Sequence, residues 1–104
     1  MIQITFVTQN GHFHSLEVKG HANAAPYGSD IVCSAVSAVT MGLNALQDDP
    51  ASTYKSKNEP GNVYLEAIKE VSKHDEIVLE TIEKQYESIA ALSPKHVRLE
   101  RKQK

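Results

Sequence analysis

The chain of 104 residues contains one cysteine, Cys33, and His21 stands twelve positions before it. A thiol and an imidazole within reach of each other can perform acyl transfer, the ring taking the thiol proton while the sulfur attacks a carbonyl carbon. Both residues sit where the local pattern changes. His21 follows Gly20 at the end of an alternating segment, and an aperiodic stretch from His21 to Asp30 leads to a helical pattern starting at Ile31. Cys33 therefore falls in the first turn of that helix, shortly after a cap supplied by Asp30 or Ser29. N–H groups in a first turn lack a helical acceptor and, with the helix dipole, favour negative charge such as a thiolate. The other reading of Cys33 is a small buried hydrophobe, the commoner fate of an unpaired cysteine. At ~100° per residue it lies with Ser37, Thr40 and Asn44, away from the stripe of Val32, Val36, Val39 and Leu43. On these residues alone, nucleophile and core thiol stand about level.

The neighbours of the pair carry two readings each. Asp30 either caps the helix or orients the imidazole as a third member would. Ser37, one turn past Cys33 on the same face, either bonds toward the site or back to its own helix. Gly20 leaves room at the strand end, and Gly28 allows backbone angles that other residues avoid. Pro26 and Tyr27 either form a lid over a bound peptide or belong to a plain connector.

Several elements must hold these residues in place. Ile2, Ile4 and Phe6 alternate with polar residues, as do Leu16 and Val18, and Asn10-Gly11 between them is a hairpin signal. The helical stripe runs from Ile31 to about Gln47 and is ended by Asp48-Asp49-Pro50. Strands are expected over Thr53 to Glu59 and Val63 to Lys69, joined across Pro60-Gly61. Ser72-Lys73-His74-Asp75 caps a second helix whose apolar positions run from Val78 to Leu92, up to Ser93-Pro94. Val97 and Leu99 then alternate with charges. The order β-β-α-β-β-α-β predicts an α+β fold, two helices packed on a largely antiparallel sheet, in a single domain spanning 1–104.

The totals narrow the class. An apolar fraction of 40 % and a charged fraction of 23 % are those of an ordinary globular protein. The net charge of −2 is uneven: residues 95–104 hold five Lys or Arg against one Glu, which leaves −6 on the first 94. One short basic end on an acidic domain reads as a solvated strand and tail, so no nucleic-acid partner is expected. A single cysteine suits a reducing compartment, and the N-terminus alternates at once instead of opening like a signal peptide. The apolar-rich stretch from Ile31 to Leu46 is too short and polar to span a bilayer. A cytoplasmic protein without membrane contact is expected.

Gly20-His21-Ala22, followed by Gly28-Ser29-Asp30-Ile31-Val32-Cys33-Ser34-Ala35-Val36-Ser37, resembles the signature of the ribosomal-processing cysteine protease family, Prp, of Gram-positive and related bacteria. The resemblance extends to the length and element order of the whole chain. It implies that His21 and Cys33 form a catalytic dyad supported by Asp30 and Ser37, with a mobile loop between the two catalytic positions and no cofactor or metal. It further implies a homodimer that removes the N-terminal extension of a large-subunit ribosomal protein, the twenty-seventh, cutting after an aromatic residue. Ser34 is a mild departure, since alanine is as often expected after the nucleophile.

Three rival readings compete. His12 and His14, two apart on a strand, would share a face and could begin a metal site, but a closed zinc site needs about four ligands. A non-catalytic ribosome-associated binding module would not need a reactive Cys33. A redox-sensing thiol would have no second cysteine in the chain to resolve it.

Overall fold

The computed structural model describes residues 1–20 and 30–104. Strands β1 (Ile2–Gln9) and β2 (His12–Lys19) form a hairpin whose two-residue turn, Asn10-Gly11, has φ of 54° and 78°, the mirror-image geometry that matches strand twist. Helix α1 spans Ile31–Thr40 and passes into a 3₁₀ segment, Met41–Ala45. One helical turn, α2 (Pro50–Thr53), precedes the hairpin of β3 (Tyr54–Glu59) and β4 (Asn62–Ala67). Helix α3 (Lys73–Leu92) and strand β5 (Val97–Gln103) complete the chain. The sheet order is β3-β4-β2-β1-β5, antiparallel except for the parallel β1–β5 pair. The expected α+β architecture is the one observed.

Two boundaries depart from expectation. The α-helix expected to run to about Gln47 stops at Thr40 and tightens into the 3₁₀ segment. Gly42 explains part of this, because a poor helix former lies so close to α3 that an added Cβ would be 3.3 Å from Ile82 Cδ1. Asp48-Asp49-Pro50, read as a terminator, instead opens α2 with Pro50 at its first turn, where a missing N–H is harmless. Thr53 thus closes a helical turn, and β3 starts one residue later, at Tyr54.

One face of the sheet is apolar and covered. Ile2, Ile4 and Phe6 of β1, Leu16 and Val18 of β2 and Leu65 of β4 pack against Val36 of α1 and Leu79, Ile82 and Tyr86 of α3. Full burial of one such side chain is worth roughly 1.5–3 kcal/mol, so this layer outweighs every surface contact in the molecule. The pairing of β1 with β2 shifts between Val7 and Thr8, leaving His14 as the extra residue of a bulge. That bulge breaks the strict alternation that would put His12 and His14 on one face. His12 Nδ1 lies 3.6 Å from Glu76 Oε1, while His14 Nε2 lies 3.2 Å from Lys104 Nζ. Among the described residues, no group of three or more His, Cys, Asp or Glu could hold a metal ion.

Candidate active site

Helix α1 begins where Asp30, in extended backbone conformation, caps it: the Cys33 N–H donates to Asp30 Oδ1 at 3.0 Å, and the Ser34 N–H to the Asp30 carbonyl at 3.1 Å. Cys33 is therefore the third residue of the helix. Its own N–H is taken by the cap, which leaves the N–H groups of Ile31 and Val32 as first-turn donors without an acceptor inside the helix. Those two, rather than Cys33 itself, are the candidates for holding an oxyanion. The Ser34 hydroxyl, the departure noted in the sequence, donates back to the Asp30 carbonyl at 3.1 Å.

Cys33 is half-buried, packing against the edge of the core and also lining a cleft of about 390 Å³. The core reading describes one side of the residue, and the other side faces the cleft. One wall of the cleft is helical: Ser37 and Thr40 follow Cys33 along α1, and Met41, Leu43 and Asn44 extend the wall through the 3₁₀ segment. The polar stripe read from helical spacing is thus the cleft lining. The floor comes from Ile2 of β1, Val18 of β2 and Gly20 just after it, and the opposite wall from the β3–β4 hairpin at Asn58, Gly61 and Asn62. Asn62 has a buried Oδ1 with no hydrogen-bond partner among the described residues. Unpaired buried acceptors are rare enough in folded proteins to invite a functional reading.

Gly20 follows β2 at the cleft margin with φ of +94°, and its N–H donates to the Gly61 carbonyl at 2.9 Å. A Cβ there would collide with the backbone carbonyl oxygen of Met1. Only glycine combines that left-handed φ with that close approach, so the residue before His21 is locked between the N-terminus and the β3–β4 turn. His21, Gly28, Pro26 and Tyr27 lie outside the described residues. The structure thus brings together Gly20, Asp30, Cys33 and Ser37 of the residues singled out from the sequence.

Sequence reasoning missed the opposite wall altogether, because Asn58 and Asn62 belong to a hairpin distant in the chain and carry no motif. It also missed a knot of hydrogen bonds outside the cleft, around Asp75. Asp75 is completely buried, and its carboxylate accepts from the N–H groups of Gln47 (2.8 Å) and Asp48 (3.0 Å), the Tyr54 hydroxyl (2.7 Å) and His74 Nδ1 (2.9 Å). Burial alone pushes this carboxyl up, but the Gln47 N–H, His74, the Tyr54 hydroxyl and the Asp48 N–H outweigh it and hold the group at about 2. The same contact raises Tyr54: burial first, then the bond to Asp75 and its charge, keep the phenol a donor.

The sequence model of the family described as cysteine protease Prp matches residues 1–98. The chain belongs to the cysteine protease Prp family. Its fold is shared by the ribosomal processing protease Prp from S. aureus in complex with a covalently linked product peptide, with a TM-score of 0.87, 22 % identity, and coverage of 97 % of this chain and 99 % of that one. The S. aureus protein in complex with a substrate peptide gives a TM-score of 0.75 at 20 % identity over the same shares of the two chains. SMU.848 from Streptococcus mutans gives 0.75 at 28 % identity, covering 100 % of this chain and 96 % of that one. No curated protein matches significantly.

Proposed function

We propose that this member of the Prp family is the endopeptidase that removes the N-terminal extension of a large-subunit ribosomal protein, the twenty-seventh, with Cys33 as nucleophile and His21 as base. The observation that carries the reading is the position of the only cysteine: third residue of a capped helix, side chain in a cleft that Gly20, the residue before His21, also lines. In the mechanism, His21 takes the thiol proton and the sulfur attacks the scissile carbonyl. The developing oxyanion is met by first-turn N–H groups, those of Ile31 and Val32. The imidazolium protonates the leaving amine, and water, deprotonated by the same ring, hydrolyses the thioester. Asp30 serves by holding the helix start in shape, and Ser37 by lining the cleft one turn on.

The enzyme acts in the cytoplasm as a homodimer, as the resemblance implies; no described helix is long and apolar enough to cross a membrane. Light scattering of the purified protein tests the dimer. The cleavage itself is tested by mass spectrometry of a peptide spanning the extension after incubation with wild type, Cys33→Ala and His21→Ala. One cut by wild type, absent with both variants, is the expected result. Intact peptide with all three folded proteins would overturn the proposal and favour a binding module.

A further inference from the structure

The Asp75 knot is not used by the mechanism, yet it ties together segments that continue from the two walls of the Cys33 cleft. The helical wall ends at Ala45, and two residues later the Gln47 N–H is bonded to Asp75 Oδ1, with the Asp48 N–H on Oδ2. The opposite wall includes Asn58, and on the same strand Tyr54, four residues back and hence on the same face, donates its hydroxyl to the same Oδ2. Each wall is a stiff element: one continuous helical run and one paired strand. Fixing both at one side chain therefore fixes their separation. The helical wall is tied to α3 at two further points, where Thr40 Oγ1 meets Tyr86 OH at 2.7 Å and where Gly42 lies against Ile82. Asp75, Ile82 and Tyr86 are seven and four residues apart along one face of α3. Asp48 in turn accepts the Ser72 N–H at 2.8 Å, which holds the strap between the walls onto the start of α3.

We infer that Asp75 is a positioning residue that sets the width of the Cys33 cleft, and through that width the bulk of the peptide side chains the cleft admits. A fully buried carboxylate that accepts four hydrogen bonds leaves little slack, because losing the Tyr54 bond strands buried polar groups. The Tyr54 bond is the component that spans from one wall to the other. Tyr54→Phe deletes it while keeping the buried ring, and Asp75→Asn places an amide donor against groups that themselves donate. The statement about peptides rests on the protease reading; the statement about width does not.

Width is read without any substrate, because Cys33 is the sole cysteine and can be alkylated by a small reagent, iodoacetamide, or a bulky one, N-(1-pyrenyl)maleimide. The expected result is a bulky-to-small rate ratio in Tyr54→Phe raised about tenfold over wild type, the shift in an opening equilibrium that loss of one charge-assisted hydrogen bond produces. Asp75→Asn should match or exceed it, while Arg101→Ala, remote from the cleft, should leave the ratio unchanged. A ratio unchanged in folded Tyr54→Phe overturns the inference, whatever its melting temperature. Peptide kinetics supply the second arm: a raised KM with nearly unchanged kcat, and weaker discrimination against bulkier residues, support selection by width. A changed ratio with unaltered peptide selectivity overturns that part alone. Should wild type cut no peptide, the protease reading falls and the alkylation ratio still decides the width.

Discussion

Helices α1 and α3 begin with the same local geometry and use it in opposite ways. In each, the third residue donates its N–H to the cap side chain: Cys33 to Asp30 Oδ1 at 3.0 Å, Asp75 to Ser72 Oγ at 3.2 Å. In α3 the cap is neutral and the third residue carries the charge, fully buried and enclosed by four donors. In α1 the cap carries the charge, and the third residue is a half-buried thiol on a cleft. A helix start stabilises an anion in both cases. Where the surroundings consume every lone pair, the result is a structural rivet; where the side chain fronts a cleft, it is open to the nucleophilic role proposed for Cys33. The contrast teaches that the first-turn position does not assign the role, and that what stands in front of the side chain does.

The sharpest break of this comparison is Cys33→Ala, expected to lower peptide cleavage by at least ~10³-fold, since removal of a nucleophile removes the covalent pathway, while chemical denaturation shows little change. Gly20→Ala comes next. The forced collision with Met1 displaces the end of β2, where the chain leads to His21, the proposed base, for an expected loss of about 10²-fold in kcat/KM together with a lowered denaturation midpoint. Asp75→Asn should behave in the reverse sense to Cys33→Ala, destabilising the fold by about 3 kcal/mol in urea titrations, because buried donors are left facing a donor.

The charge of Asp75 also makes a pH prediction with a definite sign. Its carboxyl is held at about 2 in the folded chain, against 3.8 ordinarily, so the folded state binds the proton less tightly than the unfolded one. The contribution, about 2 kcal/mol, is present above pH ~4 and lost as pH falls toward ~2. Denaturation midpoints of wild type should therefore drop across that window, and those of Asp75→Asn should drop by less. Smallest is the effect at the other cap. Asp30→Ala should cost about 1 kcal/mol of stability and reduce activity, whereas Asp30→Asn keeps the cap bond. Full activity in Asp30→Asn marks Asp30 as a cap; activity no better than that of Asp30→Ala marks it as the group that orients His21.

The strands and both long helices were legible because their cores are periodic. Ile2, Ile4 and Phe6 alternate, and Leu79, Ile82 and Tyr86 recur at helical spacing, all of them buried. The end of α1 was not, since a 3₁₀ continuation keeps the same apolar residues near the same face and only the approach of Gly42 to Ile82 distinguishes it. The helical wall of the cleft was visible as the stripe of Cys33, Ser37, Thr40 and Asn44. Asp75 was read only as part of a cap, because its four partners come from Gln47, Asp48, Tyr54 and His74, and all but the last are distant in the chain. Burial of a charge is a property of what packs around it, and no single segment records it.

The central claim is that Cys33 attacks the peptide carbonyl. Acid quenching of a reaction between wild type and the extension peptide within the first turnover, followed by intact-protein and fragment mass measurement, tests it directly. The expected result is an acyl adduct equal in mass to the N-terminal fragment, located on Cys33 and absent in His21→Ala. Cleavage that persists in Cys33→Ala, or an adduct at any other residue, would contradict it.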